Sequence, residues 1–250
     1  MKKYFFVFAL LIPLPTMDCN AQDLLKDDEH KSSFDRLYQY VDPYSTPPKG
    51  EFELEYRFEH MVYGSEGGGN PYPNQWGHRI GLETGIVSNL MVEVYTLFQQ
   101  PEVGNNKVML ANLSFEMRYS VVEHNIFIVD PAIALEYKKG FSGRGSGVEG
   151  KFILAKDIGR LNFVGNLSFE SSGVEAGGSN KSGFELGFNF GAAYLLTDWL
   201  AIGTEYEHEF LGPTIGIMFE HLRMNISAGS ALEGQASNYP PMRFGLVYRF

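Results

Sequence analysis

From position 51 onward, apolar residues recur at every second place along the chain. Over residues 51–60, Phe52, Leu54, Tyr56 and Phe58 alternate with Glu51, Glu53, Glu55, Arg57 and Glu59. Over 109–121 the apolar face is Met109, Ala111, Leu113, Phe115, Met117, Tyr119 and Val121, opposite Leu110, Asn112, Ser114, Glu116, Arg118 and Ser120. Over 184–196 it is Phe184, Leu186, Phe188, Phe190, Ala192, Tyr194 and Leu196, opposite Glu185, Gly187, Asn189, Gly191 and Ala193. A period of two is a β-strand with one apolar and one polar face. Weaker members follow at 79–87, 90–99, 126–137, 148–156, 161–171, 200–210, 214–220, 224–232 and 242–250, so twelve strands are expected. Short connectors at 88–89, 123–125, 157–160 and 197–199 interleave with longer, Gly-rich ones at 63–78, 101–106, 138–147 and 172–183. Tight turns on one rim and long loops on the other are the habit of outer-membrane barrels, whose short turns are periplasmic. The join near 220–223 is the least regular.

A soluble up-and-down barrel also alternates, with its apolar face turned inward. Three features point the other way. Several strands run eleven to thirteen residues, and a tilted strand needs roughly 9–11 to cross the hydrocarbon. Eight strands already make an interior that side chains fill, so twelve enclose a space too wide for an apolar core. The polar face also carries Gly187, Gly191, Ala193, Ala201 and Gly203, small residues suited to a crowded lumen. The expected fold is all-β, a single closed antiparallel transmembrane β-barrel over 49–250. Its partners are outer-membrane lipid and its location is the bacterial outer membrane.

Met1-Lys2-Lys3 followed by an apolar run from Tyr4 to Pro15, with Cys19-Asn20-Ala21 after it, reads as a cleaved signal peptide over 1–21. Pro13 and Pro15 interrupt that run before the roughly twenty apolar residues of a spanning helix. Residues 22–48 are largely polar, with Leu24, Leu25, Phe34, Leu37 and Tyr38 as the main apolar residues, and read as a periplasmic extension or linker, with a small plug as the lesser alternative. Cys19 is the chain's one cysteine and leaves with the signal, so disulfide chemistry is not expected. The whole chain has 20 Lys+Arg against 30 Asp+Glu; without Lys2, Lys3 and Asp18 the balance is 18 against 29. That surplus argues against nucleic-acid binding, which favours a basic stripe.

The last residues, Phe244 to Phe250, alternate and end on an aromatic. They resemble the terminal strand by which outer-membrane proteins are recognised by the barrel assembly machinery, and the resemblance makes Tyr248 and Phe250 its key positions. The runs 48–55, 81–85, 130–137, 148–156, 191–197 and Gly212-Pro213, taken in order, are similar to an uncharacterised family of bacterial outer-membrane β-barrels over about residues 48 to 250. These are strand and turn features. The resemblance supports the fold and brings no catalytic residues with it.

With the apolar face outward, the lumen receives Glu53, Glu55, Arg57, Arg79, Glu83, Glu116, Arg118, Glu136, Glu185, Glu205, Glu207 and Arg243 as candidate lining residues. Acids outnumber bases there, and fixed charges lining a channel bias its selectivity. The first functional expectation is a narrow porin-like channel for small solutes, with cation preference. The alternative is a closed structural or interaction barrel with partner-binding loops. An outer-membrane hydrolase ranks last: His30-Lys31-Ser32 is the one His-x-Ser and lies before the barrel, and Glu66, Glu102 and Glu175 are scattered among loops. In Glu205-Tyr206-Glu207-His208-Glu209 the glutamates and the histidine point to opposite faces of a strand, so they cannot share a metal. His60, His78, His124 and His221 read as isolated. No cofactor, metal or catalytic set is expected, and the sequence leaves the oligomeric state open.

Overall fold

The structure, a computed structural model, describes residues 37–38, 41–61, 75–100, 107–125, 127–141, 145–172, 184–207, 210–231 and 242–250. Thirteen strand segments make one sheet: β1 (Phe52–Met61), β2 (Gln75–Val87), β3 (Leu90–Gln100), β4 (Met109–Ser120), β5 (Asp130–Gly140), β6 (Gly147–Ile158), β7 (Leu161–Ser172), β8 (Phe184–Thr197), β9 (Leu200–Glu207), β10 (Phe210–Met218), β11 (Leu222–Ala228), β12 (Ser230–Ala231) and β13 (Met242–Arg249). From β1 to β11 each pairs antiparallel with its neighbour in sequence, and β13 pairs with both β11 and β1, which closes the barrel. β12 continues β11 beyond Gly229, so the wall has twelve staves. The β10–β11 ladder lapses opposite Gly212 and Pro213 and resumes in the same register at Leu211↔Ser230. Proline has no N–H to give the ladder, which accounts for the gap.

The wall is inside-out relative to a soluble protein. Along β2, Leu82 is 45% exposed while its neighbour Glu83 is 2% exposed. The same alternation exposes Phe52, Leu54, Phe115, Met117, Leu135 and Phe152 and buries Glu53, Glu55, Glu116 and Glu136. A hydrocarbon solvent around the barrel accounts for this, because the strands satisfy their backbone groups with each other and leave only side chains to face lipid.

Several expected boundaries move; β2 begins at Gln75 and not at 79, and β5 runs on to Gly140. β5 begins at Asp130, not 126, so the β4–β5 join covers 121–129. Gly212-Pro213 sits within β10 and not in a turn, so β9 and β10 are joined by residues 208–209 alone. Pro213 pairs with Thr204 of β9, which keeps it in the wall.

The larger difference is inside. Residues 1–36, with the expected signal peptide and most of the expected extension, lie outside the described residues. The described remainder of that extension runs within the barrel, across its short-turn end. Leu37 meets Gly216 of β10, Tyr38 meets Gly191 of β8, and Pro47 and Pro48 lie against Gly85 of β2. Leu37, Tyr38, Val41 and Tyr44 form one apolar cluster with Ala132, Ala134, Ile153, Ala155, Val164, Ala193, Leu195 and Ala201 of the wall. A twelve-stave barrel encloses more space than its own small side chains fill, and an unfilled apolar void costs stability. The chain fills it with its own N-terminal strap.

Candidate functional site

The lumen is organised by one row of glutamates. Glu53 pairs in register with Glu83, Glu83 with Glu93, Glu93 with Glu116 and Glu116 with Glu136. The row continues from Glu136 to Glu149, then Glu170, then Glu185. Eight consecutive strands thus each place one carboxylate on the same hydrogen-bond row. Barrel strands tilt against the axis, so such a row winds around the wall as a spiral. It starts near the short-turn rim, where Glu53 is second in β1, and ends near the long-loop rim, where Glu185 is second in β8.

Like charges directly opposite one another on a sheet are destabilising. Cations on the row and beside it supply the compensation. Arg249 Nε donates to Glu53 at 2.7 Å, Arg79 Nη2 to Glu93 at 2.8 Å and Arg118 Nη2 to Glu116 at 2.6 Å. Lys151 Nζ lies 3.7 Å from Glu116, 3.7 Å from Glu136 and 3.8 Å from Glu149. Lys138 Nζ reaches Glu149 at 2.8 Å and Glu170 at 3.3 Å. Tyr95 adds an O–H to Glu136 and carries the Arg79 guanidinium on its ring, 3.6 Å from the centroid. At the top of the row, no ion pair reaches Glu185 among the described residues, and its side chain is exposed.

A second knot crosses the lumen. Arg243 of β13 lies 3.3 Å from Glu59 of β1 and 3.2 Å from Glu207 of β9. Between these charges is a cavity of about 360 Å³ lined by the carboxylates of Asp42, Glu59, Glu136, Glu149, Glu170, Glu185 and Glu207. Five cationic residues, Arg57, Arg79, Lys138, Lys151 and Arg243, also line it. Among the candidate lining residues, Glu53, Glu55, Glu83, Glu116, Arg118, Glu136 and Glu205 are buried in the wall's inner face. Arg57, Arg79, Glu185, Glu207 and Arg243 border the cavity itself, as does the buried Glu136. Glu55 is held by Arg57 at 2.9 Å and by Arg79 at 3.4 Å, so its charge is compensated in place. Tyr248 and Phe250 stand on the outer face, both exposed.

Three contributors escaped the sequence. Lys138 read as loop, whereas β5 runs on to Gly140. Tyr95 was one aromatic among many. Asp42 lies in the strap, where no periodicity marks it; its carboxylate takes an ion pair from Lys151 at 2.8 Å and lies 4.0 Å from Arg118 Nη2. His124, isolated in the sequence, stands between two carboxylates, with Nε2 2.9 Å from Asp157 and Nδ1 3.3 Å from Asp130. The His-x-Ser at 30–32, together with His208 and Glu209, lies outside the described residues.

Burial alone would raise the Asp42 carboxyl, but Lys151 and Arg118, with Arg57 behind them, hold it well below the usual carboxylate range. Burial, reinforced by Glu205 and Asp157, pushes the Tyr38 phenol far up, so it remains a donor. Burial and then Asp130 push Tyr44 up to about 12. A carboxyl lowered on seating stabilises the seated form above its ordinary value of 3.8, and that contribution disappears as pH falls through the lowered value. The strap should therefore stay seated from about pH 8 to about pH 5 and loosen only in stronger acid. Iodide quenching of a fluorophore at V41C follows this, with D42N as the control that lacks the acid step. Loss of seating in the neutral range would assign control to another group.

No protein-family model matches the chain, and no curated protein matches it. Solved structures do. An outer membrane channel from Pseudomonas putida F1 is similar at a TM-score of 0.57 and 13% identity, over 84% of this chain and 98% of that one. The KdgM porin, solved in complex with disordered oligogalacturonate, gives 0.51 and 12%, over 79% and 99%. The NanC porin gives 0.50 and 9%, over 78% and 97%. At such identities the likeness is one of fold: a bacterial outer-membrane β-barrel of twelve staves. The resemblance drawn from the strand motifs is supported as far as that class and not to one family within it.

Proposed function

We propose that the chain is a narrow outer-membrane channel for small hydrophilic solutes, with a preference for cations. The observation that carries the reading is the charged cavity topped by the outer end of the glutamate row. Glu170 and Glu185 stand side by side near the long-loop rim, and Glu185 is open to solvent. Low-dielectric walls focus the field of fixed charges into a cleft, so carboxylates at a mouth concentrate cations there. Lower down, Glu53 and Glu55 are tied to arginines and contribute framework more than field. The carboxylate surplus sets this lumen apart from one suited to a polyanion such as the oligogalacturonate bound to the KdgM porin.

The test is reversal potential across a planar bilayer. Changing Glu170 and Glu185 to Gln keeps shape and removes two charges. Cation preference should fall in the double variant, most clearly at low salt where screening is weak. Equal selectivity in wild type and variant would refute the role of the mouth. The second reading, a closed structural barrel, is favoured by the strap across the short-turn end, and it gains first place if no full-length form of the protein conducts.

A further inference from the structure

We propose that the strap, Leu37 and Tyr38 together with residues 41–48, is an autoinhibitory gate that closes the short-turn end of the lumen. The inference rests on the channel reading and adds to it a movable part. Three properties of the contact support it.

The first is a seat carved into the wall. A β-carbon on Gly191 would stand 2.6 Å from Tyr38 Cε1, and one on Gly216 would stand 2.2 Å from Leu37 Cδ1. Real side chains do not approach so closely, so these two strand positions lack a side chain where the strap needs the room.

The second is a set of polar contacts spread around the barrel. Tyr38 donates its O–H to Asn162 Oδ1 at 2.6 Å, and Asn166 Nδ2 donates to the Asp42 carbonyl at 3.3 Å. Ser120 Oγ donates to the Tyr44 carbonyl at 3.0 Å, and Tyr44 donates its O–H to the carbonyl of Val122. Asp42 sits on Lys151, among the cations of the glutamate row.

The third is how the strap is attached. Among the described residues its backbone joins the wall's ladder at one isolated bridge, Lys49↔Gly85. Next to it is Gly50, with φ of +80°, a conformation that glycine adopts without strain. Side chains hold everything described before that point. The strap can therefore swing out about Gly50 while the barrel's ladders stay intact, because segments held by few backbone bonds open at lower free energy than the sheet.

Seated, the strap fills the short-turn end below the charged cavity. Released, it joins the cavity to the short-turn rim. Asp42 couples the two states to the pore, since its departure takes one carboxylate away from Lys151.

The experiment locks and evicts the strap in the full-length chain, with Cys19 replaced by Ser. A β-carbon at 216 would lie 3.8 Å from the Leu37 Cα, so the pair L37C/G216C is within reach of a disulfide. Oxidised, this pair should hold conductance at a minimum, and dithiothreitol should restore the openings. G191V fills the seat, suits a strand and should raise mean conductance by about threefold or more, since conduction follows the width of the constriction. Y38A added to G191V returns the lost room and should bring conductance back toward wild type. Gel mobility before and after heating shows which variants are folded; should G191V not fold, the cysteine pair decides alone. Equal conductance in oxidised, reduced and wild-type protein overturns the gate and leaves the channel reading standing. Absence of conductance in every folded form, reduced and evicted alike, overturns both.

Discussion

Lys151→Met should cost the barrel about 3–5 kcal/mol, the usual penalty for removing one partner from a buried charge cluster. It should give the largest loss of stability among single substitutions in the lumen. Lys151 Nζ stands within 4.0 Å of Asp42, Glu116, Glu136 and Glu149. Without it, Glu136 and Glu149 face each other in register with much less compensation, and Asp42 loses its nearest cation. Methionine keeps most of the side-chain volume, so the loss reports charge and not packing. Urea unfolding of the protein in lipid vesicles, read by tryptophan emission, measures the cost. Lys151→Arg, which keeps the charge, should recover most of it. A Met variant as stable as wild type would mean that the glutamate row is balanced without Lys151.

Changing Tyr248 and Phe250 together to Ser should reduce folded protein in outer-membrane fractions severalfold. Phe250 exchanges both backbone hydrogen bonds with Phe52, at 3.1 and 3.3 Å, and the two rings stack at 6.2 Å. Tyr248 packs beside Phe250, with centroids 6.1 Å apart. This seam joins the first strand to the last, the most distant pairing in the chain, and such contacts form slowly. The aromatic pair contributes on the order of 1 kcal/mol to the finished barrel. A terminal strand read by the assembly machinery predicts more than that: the yield in cells should fall further than the stability of refolded protein. If yield and stability decline in proportion, Tyr248 and Phe250 are seam residues only and the recognition signal is not carried by them.

Much of the wall was legible because its physics is local. A strand facing lipid on one side and water on the other must alternate, so Phe52-Glu53-Leu54-Glu55 states both its conformation and its orientation. Interruptions were harder. Gly212-Pro213 has the composition of a turn, yet it lies in β10, because Thr204 on one side and the resumed β11–β12 register on the other keep it in line. The expected start of β5 fell too early because the apolar run at 126–129 has the composition of a strand, whereas the strand itself begins at Asp130.

The candidate site divides along the same line. That glutamates face the lumen follows from strand parity, which the sequence by itself determines. That Glu53, Glu83, Glu93, Glu116, Glu136, Glu149, Glu170 and Glu185 form one row depends on seven registers between strands, and register is set by pairing across the barrel and not by any one strand. Partners are tertiary for the same reason: Lys151 meets Asp42 across more than a hundred residues, and His124 meets Asp157 only once β4 to β6 are aligned. The strap is the clearest case. Residues 37–48 carry no period, and their few apolar side chains become a core only because a closed barrel presents Ala134, Ile153, Gly191 and Gly216 around them. The sequence determined the wall, since each strand answers to lipid and water where it stands; closure decided the lumen, since what fills a cavity depends on every surface that bounds it.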